Sequence, residues 1–227
     1  MVDKLVSQTI KASLVVQIFT TLVTLDGIRL KLLPQDMILK EILTIEILVQ
    51  LVEGFFYYWV IRAVKDMDKM TPRRYIDWSI TTPIMLFSTI LFFKYAEQNE
   101  KGINEGFTAK QFYESNKENV HKIFVYNGLM LLFGYLGETG VLDRSISIPI
   151  GFIFFFLSFR LIYYEYAVHS ELAQILFKIL ITLWSLYGVA AMLPNNYKNV
   201  SYNMLDIVSK NFYGLYIYYK IRQLHVS

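Results

Sequence analysis

Lys210 is the residue from which chemistry is most readily built. It stands in an apolar stretch, Asp206-Ile207-Val208-Ser209-Lys210-Asn211-Phe212-Tyr213-Gly214, where a charged amine needs both a reason and a partner. An amine so placed can condense with an aldehyde to give an imine. A protonated imine is a cation, and nearby carboxylates favour that charged form. Asp206 lies four residues before the lysine. Asp77 lies far upstream, in Arg74-Tyr75-Ile76-Asp77-Trp78-Ser79-Ile80-Thr81-Thr82-Pro83. These two are the candidate counterions, with Arg74 balancing charge beside them. A lone lysine in an apolar helix is more often snorkelling or ion-paired, so its partners decide the matter.

Spacing brings the partners together. Arg74, Asp77, Thr81 and Ser88 share one face of a helix, and so do Asn199, Asn203, Asp206 and Lys210. Two membrane helices with polar stripes should turn those stripes toward each other rather than toward lipid. The composition demands membrane helices: the 227 residues are 55% hydrophobic and only 18% charged, too apolar for an ordinary soluble domain. Hydropathy gives seven segments, near 9–28, 38–62, 75–95, 120–138, 145–168, 171–194 and 200–223. The reading is all-α, a single seven-helix domain over residues 1–227. Pro34, Pro72, Pro149 and Pro194 fall near segment ends, while Pro83 falls inside the third and should kink it. The polar stretch from Ala96 to Val120 reads as a solvated loop, although Phe107, Phe112 and Tyr113 would also suit a short interfacial helix.

Aromatic residues flank the same site. Trp78 follows Asp77, and the sixth segment carries Trp184-Ser185-Leu186-Tyr187. Two indoles and a phenol can sandwich a flat polyene at low entropic cost. Taken with Lys210, Asp77, Asp206 and Arg74, this pattern resembles the microbial rhodopsins over nearly the whole chain. The resemblance implies the seven-helix bundle of that type, all-trans retinal held as a protonated Schiff base on Lys210 with Asp77 as its proton acceptor, and a pocket built from Trp78, Thr81, Trp184 and Tyr187. Phe133-Gly134-Tyr135-Leu136-Gly137-Glu138 resembles the family less specifically. Gly188 stands where the family usually has proline, which should leave the sixth helix straighter, and Ala191 where a tryptophan is common, which should alter the pocket near the ring.

The resemblance also frames transport. Outward proton pumps of the family carry a donor acid about three turns beyond the acceptor, and here that place is Ser88, a hydroxyl that cannot do an acid's work. No acidic pair stands in the connection Asn195 to Ser201. The second segment has Glu46, Gln50, Glu53 and Tyr57 on one face, with Glu41 off that face and near the water. The first answers with Ser13, Gln17, Thr20, Thr21 and Thr24. A file of carboxylates, amides and hydroxyls is how a cation path is built. It is similar to channelrhodopsins, and more so to the group 1 viral rhodopsins of large algal viruses. In those, Ser13, Gln17, Glu46, Glu53 and an asparagine would have counterparts; Asn203 is the choice, with Asn199 and Asn211 competing. The resemblance implies a light-gated channel for monovalent cations, suppressed by calcium. A light-driven outward proton pump is the alternative, and a photosensor a third.

Other classes recede. With no cysteine, disulfides and thiolate metal sites are excluded. His121, His169 and His225 are scattered, so no metal is expected. A net charge of +3 gives no reason to expect nucleic acid, and no feature argues for an enzyme. The N-terminus lacks a signal-peptide pattern. Asn199-Val200-Ser201 matches a glycosylation signal but abuts the membrane. The expected partner is the lipid bilayer, and self-association into a homo-oligomer stays open. The family resemblance puts the N-terminus outside and the C-terminus inside. Lysines 94, 101, 110, 117 and 122 agree, while Arg62, Lys65, Lys69, Arg73 and Arg74 cluster on the opposite side.

Overall fold

The computed structural model describes residues 2–63 and 70–226, so Lys65 and Lys69 lie outside the described residues. Six helices, α1 (Val2–Arg29), α2 (Ile38–Ala63), α3 (Met70–Glu100), α4 (Ala109–Glu138), α5 (Arg144–Glu165) and α6 (Glu171–Ala191), precede a seventh rod. That rod consists of α7 (Asn195–Asp206), a π-helical turn (Ile207–Asn211) and α8 (Phe212–Leu224). Each rod packs on its neighbours in the chain, and the seventh closes the ring against α1. The rods coincide with the seven apolar segments of the sequence.

Burial follows membrane logic. In α1, Ser13, Gln17, Thr20, Thr21 and Thr24 are buried, while Val15, Ile18, Phe19 and Leu22 face outward. In α2, Glu46, Gln50 and Glu53 are fully buried, while Leu48, Leu51 and Phe55 are exposed. With lipid outside, apolar side chains lose nothing by facing out, and polar ones must find each other within the ring. Apolar packing seals both ends of this polar interior. Ile38, Leu39, Ile42 and Leu43 join Phe92, Phe93 and Ile217 at one end; Val6, Ile10, Phe56 and Val60 cluster at the other. Among the described residues, four helices, Lys4–Arg29, Met70–Glu100, Arg144–His169 and Glu171–Ala191, are long and apolar enough to cross a membrane by themselves. α2 and the seventh rod carry carboxylates, amides and lysines of the interior.

The polar stretch after the third segment differs from the expected loop. α3 runs on to Glu100, and α4 begins at Ala109. Thr108 caps α4 through a reciprocal pair with Gln111. Glu41, expected to face water, accepts from the Ala109 N–H at 2.8 Å. Asn116 breaks the helix with φ −120° and ψ 16°, and its side chain accepts from Tyr166 at 3.2 Å. The Phe112 ring packs 5.7 Å from Tyr166. A polar composition concealed this helix, which buries Phe112 between Phe107 and Tyr166. Pro149 lies inside α5 rather than at its end.

Glu100 accepts from the N–H groups of Glu171 and Leu172 at the start of α6, at 3.0 and 3.1 Å. Near the far end, Glu138 of α4 receives both Lys198 Nζ, at 2.7 and 2.8 Å, and Arg144, at 3.3 Å. Lys198 is fully buried. Removing one partner of a buried pair is costly because the other charge stays desolvated. Glu138→Ala is expected to lower stability by roughly 3 kcal/mol, read as a fall in the thermal unfolding midpoint of the detergent-solubilised protein. An unchanged midpoint would show that this ion pair does not hold α4 to α7.

Candidate functional site

Lys210 lies in the π-helical turn, a local widening often found at functional sites. Its side chain is almost fully buried, and three carboxylates surround its nitrogen. Asp77 Oδ2 accepts at 2.8 Å, Glu53 Oε1 lies at 3.3 Å and Asp206 Oδ1 at 3.8 Å. Asp77 and Asp206 meet the lysine as their helical spacing predicts. Glu53 was expected in the ion path, and the structure also puts it against the nitrogen. The signal for this was its place on the polar face of α2, but only packing shows that the face turns toward Lys210.

The two aspartates differ in how they are held. Asp206 Oδ2 accepts from Tyr57 at 2.7 Å and from Arg74 at 3.1 Å; its Oδ1 accepts from Tyr187 at 2.8 Å. Three donors thus fix the Asp206 carboxylate in place, one of them the charged guanidinium. Asp77 has Lys210 for one oxygen, while its Oδ1 has no partner among the described residues. Arg74 therefore serves Asp206 rather than Asp77. It also donates to Tyr57 at 3.2 Å, to Asn199 at 3.3 Å and to Asn203.

Beside Lys210 lies a cavity with about 810 Å³ of atom-free space, its mouth included. Trp78, Trp184 and Tyr187 wall it as the sequence predicts, joined by Tyr75, Met85, Met130, Phe152, Phe155 and Tyr202. Trp78 stands edge-on to Tyr187 and to Tyr202, with ring centroids 5.6 and 4.9 Å apart. Thr81 was expected in this wall, but the wall is built by Thr82 instead, and the Thr81 hydroxyl turns back to the Asp77 carbonyl at 3.0 Å. Gly188 and Ala191 also line the cavity. At Gly188 a Cβ would run into the Phe152 ring, so the missing side chain is what admits that ring. An aromatic cleft ending at one buried amine suits a flat, apolar molecule bearing a carbonyl.

The polar residues of α1, α2 and the seventh rod form a connected interior. Gln17 donates to Glu53 Oε2. Thr21 and Thr24 donate to Gln50 at 3.2 and 3.4 Å, and Thr20 donates to Asn211. Ser13 donates to the Asn203 carbonyl at 3.1 Å, and Thr9 receives the Asn203 amide at 2.8 Å. Glu46 meets Ser88 of α3. The three asparagines that competed in the sequence all have buried places: Asn199 beside Arg74 and Thr71, Asn203 between α1 and Arg74, and Asn211 against Thr20. Sequence reasoning missed Tyr57 as a partner of Asp206, because a phenol beside two glutamates on a helix face carries no sign of what it reaches.

The family model described as bacteriorhodopsin-like protein matches residues 8–224. No curated protein matches the chain. Among solved structures, it is similar to viral rhodopsin OLPVRII, at 27% identity and a TM-score of 0.81, covering 98% of this chain and 100% of that one. Exiguobacterium sibiricum rhodopsin shares the fold at 18% identity and a TM-score of 0.75, over 100% and 99% of the two chains. A halorhodopsin described as a light-driven chloride pump does so at 13% and 0.74, over 96% of each.

Arg74→Gln would leave Asp206 buried without its guanidinium. A loss of about 3–5 kcal/mol is expected, measured as thermal unfolding of the retinal-free protein. Adding Asp206→Asn should recover part of it; a double variant no more stable than the single one would dissolve the pairing.

Proposed function

The chain belongs to the bacteriorhodopsin-like family, and from that premise we propose that it is a light-gated channel for monovalent cations. The family makes it an integral membrane protein and implies retinal as its chromophore. The pocket suits that group: a flat aromatic cleft, one amine at its end, and an unpartnered Asp77 oxygen beside the amine. Retinal in its all-trans form, bound through Lys210 Nζ as a protonated Schiff base, supplies visible absorption and a light-driven isomerisation. The remaining work falls to the chain. Asp77, Asp206 and Glu53 hold positive charge at Nζ. Asp206 already has its oxygens occupied by Tyr57, Arg74 and Tyr187. Asp77 lacks such donors, so it takes the proton when Nζ releases one.

Glu53 carries the channel reading. One oxygen lies 3.3 Å from Lys210 Nζ, and the other accepts from Gln17 of the α1 file. Any change of charge at Nζ therefore acts directly on a residue of the polar path. Ser13, Gln17, Glu46, Glu53 and Asn203 are the residues assigned to that path. In the resting state their side chains are tied to one another, to Ser88, Thr9 and Arg74, or to backbone, which closes the file; loosening those bonds admits water and then cations. The proposed orientation has the N-terminus outside and the C-terminus inside.

Lys210→Ala is expected to abolish the visible pigment, and a retained band would sink the attachment. Asp77→Asn should red-shift absorption by removing charge beside Nζ; an unchanged spectrum would move the counterion role to Asp206. The deciding measurement is whole-cell photocurrent with retinal, stepped through voltage at two external sodium concentrations. A reversal potential that follows the sodium gradient is the expected result, with Glu53→Gln and Asn203→Ala changing conductance or selectivity while pigment remains. Outward current at every voltage would instead make the protein an outward proton pump. Silence with bound pigment would leave a photosensor.

A further inference from the structure

Asp36 ends the short 3-10 turn Pro34–Asp36 that joins α1 to α2. It is only 4% exposed, and aspartates are rarely buried to that degree without a cation. Among the described residues no lysine, arginine or histidine forms an ion pair with it. The two lysines at the end of α3, Lys94 and Lys101, both go to Glu97, at 3.0 and 2.6 Å. The hydrogen bond that Asp36 does receive comes from a neutral group, the Tyr95 phenol of α3, which donates to Oδ1 at 2.7 Å. This carboxylate thus keeps an unanswered charge and an oxygen to spare.

That carboxylate lines a cavity with about 290 Å³ of atom-free space, its mouth included, room for an ion and several waters. Gln35, Tyr95, Gln98, Asn99 and Asn104 share the wall. Each of them carries amide or phenol oxygen, a hard donor without positive charge. α3 also ends here, at Glu100, and the C-terminal carbonyls of a helix favour a cation. The chain then folds back, with Ile103 donating to the Gln98 carbonyl at 2.9 Å and Gly102 to that of Asn99 at 3.1 Å. Gly106 brings the returning chain onto the turn itself: a Cβ there would run into the Pro34 carbonyl oxygen. The α3–α4 connection is therefore seated against the turn that carries Asp36, and the two together enclose the cavity.

Charge count selects the ligand. One carboxylate neutralises a monovalent ion, whereas calcium affinity rises with the number of charged ligands. We propose that Asp36 and the amide-lined cavity between the α1–α2 turn and the α3–α4 connection bind a partly hydrated monovalent metal cation. Asp36 supplies the charge, and the amides and the Tyr95 oxygen supply neutral contacts.

The site lies apart from the polar interior. Ile38, Leu39, Ile42 and Leu43 stand between Asp36 and Glu46 along α2 and pack with Phe92 and Phe93. A cation held at Asp36 ties two connections together at the end of the bundle where α2 begins, outside that apolar seal. Its binding requires neither retinal nor conduction, so it stands or falls separately from the channel reading.

The test uses the full-length, retinal-free protein in detergent, with sodium as the probe. Sodium exchanging with such a site broadens the sodium NMR line, and Asp36→Asn is expected to lose most of that broadening, while Glu114→Gln, at an exposed carboxylate, keeps it. Replacing choline chloride by sodium chloride at equal concentration should raise the wild-type unfolding midpoint by about 2 °C, and Asp36→Asn should abolish the rise. Gly106→Ala removes no oxygen from the wall but lifts the connection from the turn, so it should weaken both effects; it serves if Asp36→Asn does not fold. Equal broadening in wild type and Asp36→Asn, a midpoint that does not distinguish sodium from choline, or Gly106→Ala with undiminished sodium effects would each overturn the proposal.

Discussion

The buried cation at Lys210 is the constraint on which the rest of the architecture depends. An amine in a membrane interior is tolerated only if negative groups reach it without solvent. Three do, from three helices: Asp77 of α3, Glu53 of α2 and Asp206 of α7. Bringing three carboxylates to one nitrogen raises a further demand, because they repel one another. Arg74 meets part of it by pairing with Asp206, and Tyr57 and Tyr187 add neutral donors to the same carboxylate. The two aspartates thereby become different: one is held by three donors, and the other answers mainly to the lysine. In the proposed function, that asymmetry makes Asp77 the destination for a proton released at the nitrogen.

The same interior joins the Lys210 site to the polar file proposed as the ion route without an intermediate element. Glu53 belongs to both. In a soluble protein, a charge change at Lys210 would be screened within a short distance. Within a ring of helices backed by lipid, the low dielectric carries it to Gln17 and the α1 hydroxyls. The aromatic wall works in the opposite sense. Trp78, Tyr187 and Tyr202 pack edge-on around the cavity, so a flat ligand has little room to relax except by pushing on the helices that bear them. Tyr187 both walls the cavity and donates to Asp206, so steric and electrostatic effects meet at one side chain.

The outer parts of the molecule serve to hold these faces in register. Glu138 ties α4 to α5 and α7 through two cations. Glu100 caps α6, and Glu41 reaches the first N–H of α4. Each connects helices that hydrophobic packing alone would leave free to slide, because lipid provides no hydrophobic drive between them.

Much of this protein is settled by sequence alone. Hydropathy defines seven spans, because a lipid interior allows few alternatives to a helix. Helical spacing puts Arg74, Asp77 and Ser88 on one face and Asn203, Asp206 and Lys210 on another, since the period of a helix is a property of the backbone. The buried hydroxyls of α1 and the buried acids of α2 are legible for the same reason. Spacing within one helix cannot say which residue of the next helix it will meet. Only the packing of the ring put Glu53 at the lysine, gave Arg74 to Asp206, exchanged Thr81 for Thr82 in the cavity wall and carried Glu46 to Ser88. Ser88 read in sequence as a lost acid, because its own helix has none to offer. Glu46 of α2 meets it across a contact that no single-helix pattern encodes.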